Sequence, residues 1–356
     1  MAAEVVVVGA GLAGLTAALN LARDGRGVRV LEKFDKVGGT PLAHPAVDVT
    51  PMETEPLGRF IGVELGEPEV TPSGTWNHYA YGYKVPMDLT FVNLKCVERG
   101  SRKTALDMKL YNLCADAGVK FEFGKPLVTQ GDFAQLPPDS VIATGLYFEA
   151  FEALNIPYQT CFGYIGRGRT DRGPQCATWF AEYILDYAYY GSANGVVFCL
   201  YFAREPVRES EWKRFTEKQL AGQEGMVCTR WDYHEGPAPT AVYNNPRLFA
   251  GDKILAGTLS GMMDPFALFG VHGSLVSGKI AAMAHTDKAE AYALFKKYTR
   301  FFNRNLFIKR VFNGIPDWHK KRRLGKDIHF MQKHAGLLRG SATSFFQSLP
   351  GYGQLP

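Results

Sequence analysis

With 356 residues, 46% of them apolar and 21% charged, the chain has the size and composition of a globular protein of one large domain or two. No run of about 18 apolar residues occurs, which excludes a membrane-spanning helix. Cys96, Cys114, Cys161, Cys176, Cys199 and Cys228 form no C-x-x-C pair, which excludes a zinc or dithiol motif.

The chain opens on Glu4 to Val8, a β-branched run that ends abruptly in glycine and reads as a strand buried on both faces. Gly9-Ala10-Gly11-Leu12-Ala13-Gly14 follows, a G-x-G-x-x-G, and then a Leu/Ala-rich helix from Leu15 to Arg23. Gly25 and Gly27 close the helix, and Val28 to Leu31 reads as a second strand ending at Glu32. Each part has a physical task. Gly9 permits the tight turn, Gly11 lets a pyrophosphate approach the backbone, and Gly14 lets helix and strand pack closely. The helix start, with Leu12 and Ala13, offers free N–H groups and a positive dipole end to phosphates. Glu32 lies eighteen residues after Gly14, where a carboxylate accepts hydrogen bonds from ribose hydroxyls. This spacing predicts dinucleotide binding without separating FAD from NAD.

Glu32-Lys33 followed by Val37-Gly38-Gly39-Thr40 resembles the extension found in two-dinucleotide-binding flavoproteins, and that resemblance implies FAD, with Lys33, Gly39 and Thr40 at its adenosine end. Val97-Glu98-Arg99, then Thr104 to Ala117 and Gly118 to Phe121, read as turn, helix and strand. The stretch is similar to the arginine-bearing segment of the flavin hydroxylase and geranylgeranyl reductase superfamily. The resemblance puts Arg99 near FAD; the residues alone equally allow a surface arginine before a helix. Ser140 to Gly145 reads as a buried strand ending in an Ala-Thr-Gly like the one that returns many flavoprotein chains to FAD, at Thr144 and Gly145.

Residues 251–282 resemble the superfamily's strand, flavin-side proline and glycine-rich turn opening a long helix, here placed at Ser274 to Ala284. By that resemblance Thr258, Gly261, Asp264, Pro265, Gly270 and Val271 bind the cofactor. Thr258 stands where the family carries an aspartate, so one charge is missing. The resemblance covers about 130 residues in three blocks, 4–40, 95–145 and 245–284. It implies an α/β fold: a Rossmann-like FAD-binding domain of the two-dinucleotide-binding type (1–50, 90–150 and 245–290), with an inserted, mainly antiparallel β substrate domain (51–89 and 151–244).

Two histidines are candidate proton donors. His44 sits in the loop after Gly38-Gly39, where prenyl reductases of the family carry a cysteine near the flavin; it reads either as a proton donor to the substrate or as a loop histidine bonded to backbone. His272, beside Gly273, reads as flavin-facing or as a supporting residue. Within 151–244, Gly195 to Phe202 reads as a strand, Glu211 to Leu220 as a helix, and Tyr183, Tyr187, Tyr189 and Tyr190 as part of a roof over the flavin. Arg167, Arg169 and Arg172 either grip an anionic group of the substrate or form a solvated loop.

The net charge of +5 is uneven: residues 288–339 carry a surplus of +11, leaving −6 on the rest of the chain. Phe295, Tyr298, Phe302 and Leu306 have helical spacing among Lys and Arg, which fits a basic amphipathic helix on an anionic membrane face or one packed on the protein. The 291–340 segment is expected to be helical and basic, and the Ser/Gly/Pro-rich tail 341–356 loosely ordered.

These readings lead to an FAD-dependent oxidoreductase. The family resemblance implies hydride transfer from reduced flavin to a carbon–carbon double bond of an apolar prenyl-like or conjugated substrate, with an anionic head in some cases. A flavin monooxygenase shares the same frame, and an FAD-binding electron-transfer protein is the reading from another class. One dinucleotide fingerprint is present, so the reductant is open among NADPH, a ferredoxin and another reduced flavin. The partners expected of 288–339 are a membrane surface or an acidic redox protein. No nucleic-acid partner and no metal ligand set are expected, and with no secretory leader recognised the expected location is cytoplasmic.

Overall fold

In the computed structural model the Val5–Val8 strand is buried along its whole length, as a β-branched run in the middle of a parallel sheet should be. The structure describes residues 4–41, 43–85, 92–181, 184, 186–323 and 344–355. Val5–Val8 lies at the centre of a six-stranded sheet, between Val28–Leu31 and Val141–Ile142. Lys120–Glu122 extends the sheet beyond Val28–Leu31, and Lys253–Leu255 extends it on the other side, all in parallel. Phe249–Ala250 closes that edge antiparallel. This is the Rossmann-like part expected from the first forty residues.

Two helices lie together against this sheet. Leu12–Arg23 starts three residues earlier than the sequence suggested, directly after Gly11. Val271–Met283 likewise starts before the expected Ser274. Their close approach depends on a missing side chain: a Cβ on Gly278 would stand 2.4 Å from the Ala13 carbonyl oxygen.

A second sheet has seven strands, in the order Arg230–Ala238, Gln159–Arg169, Val196–Ala203, Ala188–Ala193, Gln175–Phe180, Trp76–Ala80 and Tyr83–Val85. It is antiparallel except where Gln175–Phe180 runs parallel to Trp76–Ala80. A mainly antiparallel sheet is therefore present, and 76–85 joins it, whereas Val70–Pro72 pairs elsewhere. Alternation splits its aromatics between two faces. Tyr190 and Tyr201 pack with Trp179 and Phe215 in a closed core behind the sheet, while Tyr187, Tyr189, Phe198 and Phe202 cluster on the opposite face. Tyr183 lies outside the described residues.

Between these two layers sits a three-stranded sheet that the sequence did not reveal. Ala46–Pro51 pairs with Leu94–Arg99, which also pairs with Val70–Pro72. Val97 to Arg99, read as turn, are strand residues, as is Asp48 opposite them. The reason is long-range pairing, invisible to local pattern: residues about fifty apart in the chain satisfy one another's backbone groups.

The C-terminal part forms the helices Lys288–Thr299 and Phe302–Gly314, with a further helical stretch at 317–323. Phe295, Tyr298, Phe302 and Leu306 are all buried, so this aromatic stripe packs on the protein and does not meet a membrane. Residues 344–355, expected to be loose, include buried Phe346, Leu349 and Tyr352 packed against Val92 and Leu94. Residues 324–343, with the last basic side chains of the segment, lie outside the described part. Among the described residues no helix is long and apolar enough to cross a membrane.

Asp264 ties this C-terminal region to the cofactor loop. It is fully buried, its Oδ2 accepts from the Phe266 and Ala267 N–H groups at 3.0 and 2.6 Å, and its Oδ1 accepts from Asn305 at 2.9 Å. Asn305 in turn donates to Ser348 at 2.9 Å. Burial raises the Asp264 carboxyl above its usual range, and these donors only partly offset that. Asp264→Ala should cost about 1–3 kcal/mol for each buried donor left unpaired. Urea unfolding of the variant against the parent measures it; an unchanged midpoint would mean that water replaces the carboxylate.

Candidate functional site

One cavity of about 940 Å³ runs from the glycine turn to an aromatic face of the seven-stranded sheet. At its first end the turn is held by backbone contact. A Cβ on Gly14 would stand 1.9 Å from the Gly9 carbonyl oxygen, and one on Gly9 would stand 2.4 Å from that of Ala143. Gly11 differs: no atom lies within 4 Å of its would-be Cβ, so the space beside it is open to a ligand. Gly14 accordingly serves packing and does not line the cavity, whereas Gly9, Gly11, Leu12 and Ala13 do.

Two helix starts converge on this space. Gly11 and Gly270 are the N-caps of the 12–23 and 271–283 helices, and neither helix has a side-chain cap. Their first-turn N–H groups have no partner within the helix, which suits an anionic ligand. Thr144, also on the cavity, has a buried hydroxyl oxygen with no hydrogen-bond partner in the protein. Glu32 closes the first end. Its carboxylate accepts the Ala10 N–H at 2.7 Å and the Phe34 N–H at 3.0 Å. Burial raises its pKa, against the lowering effect of those bonds. A carboxylate has about four lone-pair sites, so Glu32 can brace the turn and still accept from ribose hydroxyls.

Of the other residues expected to bind the cofactor, Lys33, Gly39, Thr40, Arg99, Gly145, Thr258, Pro265, Gly270 and Val271 line the cavity. Lys33 pairs with Glu149 at 2.7 Å and lies over the Tyr147 ring. Arg99 is no surface residue. It binds Asp107 through Nε at 2.8 Å and Nη2 at 2.9 Å, and Asp48 through Nη1 at 3.0 Å. Burial alone would raise the Asp107 carboxyl, but Arg99 outweighs that and holds it below the usual range.

Three expected contacts are corrected. Gly261 does not line the cavity; it has φ +79°, and a Cβ there would press on Pro246 at 2.8 Å, so it serves the turn. Asp264 is turned inward to the bonds described above and stabilises the loop that carries Pro265. His272 also faces away from the cavity: its Nδ1 lies 3.1 Å from the Pro350 carbonyl and its ring stands against Tyr352. Burial pushes its pKa down to about 4, and it belongs to the packing of the C-terminal turn.

His44 does line the cavity, in a form unlike the expected acid. Its Nδ1 lies 3.0 Å from the Gly38 carbonyl oxygen, which can only accept, so Nδ1 carries the proton. Nε2 is then a lone pair, and burial lowers the pKa, favouring the neutral ring. Arg167, read as a candidate anion grip, instead braces this loop: it donates to the Pro41 and His44 carbonyls and pairs with Asp232. Arg172 donates to the Glu224 carbonyl, and Arg169 ends the 159–169 strand.

Sequence reasoning missed His78. It lines the far chamber directly opposite Thr178 in the parallel strand pair. Trp76 Nε1 donates to the Thr178 hydroxyl at 3.0 Å, and that oxygen lies 2.6 Å from His78 Nδ1. With the indole as an obligate donor, the arrangement that uses every group has the Thr178 O–H donating to Nδ1, leaving the proton on Nε2. Desolvation lowers the His78 pKa to about 4, so the ring is neutral. The only hint in the sequence was the alternation of Trp76 and His78, which cannot reveal the partner strand.

Residues 4–44 match the family model described as FAD binding domain. The chain carries an FAD-binding domain. Its cofactor is FAD, and the open space at Gly11, the free helix starts and the unpaired Thr144 hydroxyl fit it. The fold is that of two-dinucleotide-binding flavoproteins. A geranylgeranyl bacteriochlorophyll reductase-like protein from Thermoplasma acidophilum is similar over 90% of this chain and 89% of its own, with TM-score 0.69 and 14% identity. A p-nitrophenol 4-monooxygenase from Pseudomonas putida is similar over 98% of both chains, with TM-score 0.60 and 14% identity. A 2-methyl-3-hydroxypyridine-5-carboxylic acid oxygenase, in the form of a cysteine-to-alanine mutant, covers 91% of this chain and 92% of its own, with TM-score 0.55 and 16% identity. No curated protein sequence matches the chain.

The two kinds of glycine give a paired test. Gly11→Val should fold with the flavin-free parent's melting temperature yet lose FAD, because its side chain enters only the ligand's space. Gly14→Val should lose stability whether or not FAD is present, because it strikes backbone. Flavin absorbance after desalting and thermal melts read both effects; a yellow Gly11→Val protein would contradict the placement.

Proposed function

We propose that the protein is an FAD-dependent oxidoreductase that reduces a carbon–carbon double bond of an apolar, conjugated substrate. The observation that carries this reading is the continuity of a single cavity from the glycine turn to a chamber walled by Tyr187, Tyr189, Phe198 and Phe202. FAD, when bound, supplies the hydride chemistry, and the protein supplies geometry and dryness. An electron-transfer protein without a substrate has no need of such a chamber. A reductase-like protein, at TM-score 0.69, and two oxygenases, at 0.60 and 0.55, share this fold.

The side chains divide the work. The aromatic wall excludes water and orients a flat or extended apolar molecule. Tyr187 and Tyr189 are themselves anchored, to the Ala267 carbonyl at 2.7 Å and to Asp48 at 3.2 Å, so the wall is fixed before a substrate arrives. His78 offers a neutral Nε2–H to an acceptor atom of the substrate, where negative charge gathers as the double bond is reduced. His44, with Nε2 unprotonated, accepts a proton or hydrogen bond and does not act as the acid. A substrate with a carbonyl conjugated to its double bond fits this division.

Reduced, FAD-loaded protein should convert such an apolar conjugated carbonyl compound, without oxygen, to a product richer by two hydrogens, one as hydride and one as a proton taken up from solvent, detected by mass spectrometry. A product formed only in air and carrying isotopically labelled oxygen would instead establish a hydroxylase. His78→Phe keeps a ring but removes the N–H. It should retain FAD and weaken binding of the carbonyl compound by roughly 2–10-fold, the worth of one neutral hydrogen bond, while leaving the matching hydrocarbon unaffected. Equal losses for both ligands would assign His78 to packing. Because His78 is neutral above about pH 4, its contribution should not titrate between neutral and mildly acid pH.

A further inference from the structure

The Phe302–Gly314 helix borders the cavity. Its inner side is spoken for: Leu306 and Lys309 line the cavity, and Lys309 is held by Asp186 at 3.0 Å. Its outer side carries three large, exposed apolar side chains beside polar ones. Phe307 is 60% exposed, Ile308 46% and Val311 49%. At positions i, i+1 and i+4 they form one stripe, and helical spacing adds exposed Arg304 to the same stripe. The pattern repeats in the next helical stretch, where Trp318 is 64% exposed. Exposed Lys321 and Arg322, three and four residues on, share its face.

Such a run of large apolar side chains in water is unusual for a helix whose other face is already buried. Charge identifies what covers it. From 300 to 323 the sequence has one acid, Asp317, and Lys320 pairs with it at 3.2 Å. An apolar stripe bordered by Arg and Lys, with tryptophan at its end, has the composition of an interfacial helix. An acidic protein would complement the positive charge, but Phe307, Ile308 and Val311 need a matching apolar groove, whereas an anionic lipid surface suits both.

We propose that the outer face of the Phe302–Gly314 helix, together with Trp318, rests on an anionic lipid surface. It is not the stripe of Phe295, Tyr298, Phe302 and Leu306 that sequence spacing suggests, since those residues are buried. The opposite side of the same helix walls the cavity, so docking would set the chamber beside the lipid. An apolar substrate dissolved there would reach the site without crossing water. The docking itself does not depend on the reaction, and the test below involves no catalysis.

The FAD-loaded full chain is to be sedimented with vesicles of phosphatidylcholine alone and of phosphatidylcholine with phosphatidylglycerol in equal parts. Binding should require the anionic lipid, fall with rising salt, and be accompanied by a blue shift of tryptophan emission. The exposed-site variant Phe307→Ser/Ile308→Ser should retain FAD and the parent's melting temperature but partition at least about tenfold more weakly, as lost burial of an aromatic and a branched aliphatic side chain requires. Absence of binding to anionic vesicles at low salt would overturn the proposal. So would equal binding by the variant, which would leave a purely electrostatic surface suited to an acidic protein.

Discussion

Everything in this molecule follows from how closely backbones approach one another at the first glycine turn. The Gly14 Cα faces the Gly9 carbonyl, and Gly9 faces that of Ala143, at separations that tolerate no Cβ. Gly278 extends the same constraint to the second helix, which lies against Ala13. The result is that two helix starts, at Gly11 and Gly270, open into one space, with a parallel strand delivering Thr144 between them. Unpaired N–H groups collected in this way favour an anionic ligand whatever its other parts are. Glu32 completes the arrangement by bracing the Ala10 N–H from the next strand.

Beyond the turn, the cavity changes character. The adenosine side is built from loops and helix ends, with polar backbone facing inward. The far side is a sheet face of aromatic residues, whose polar tips are already paired with Ala267 and Asp48. The change suits a ligand set with one charged part and one flat, apolar part. Arg99 stands at the junction and is neutralised by Asp107 and Asp48, so it brings rigidity there more than net charge. That buried pair also ties the three-stranded sheet to the Leu106–Asp116 helix.

Local features of this design were legible in the sequence. The turn, its flanking strand and helix, and the acid at Glu32 depend on neighbours within about thirty residues, so their spacing is enough. The cavity-lining places of Arg99, Thr144, Gly145, Thr258 and Gly270 were accessible through the family resemblance. Features made by distant pairing were not legible. Ala46–Pro51 becomes a strand only because Leu94–Arg99 meets it, and His78 acquires Thr178 and Trp76 only through a parallel register that joins residues 100 apart in sequence. His272 and Asp264 looked like site residues because they flank Gly270 and Pro265. Each is turned instead towards the C-terminal segment, through Pro350 and Asn305, a destination that no local pattern records.

The central claim is that the cavity takes FAD lengthwise, adenosine at the glycine turn and ring system beneath the aromatic sheet. Spectroscopic titration of the flavin-free protein with FAD and, separately, with FMN tests it most directly. FAD should bind tightly and one to one. FMN lacks the adenosine half that the turn and Glu32 engage, so it should bind far more weakly, and Glu32→Ala should narrow the gap by weakening FAD alone. Equal affinity for the two flavins, unchanged in Glu32→Ala, would contradict the account.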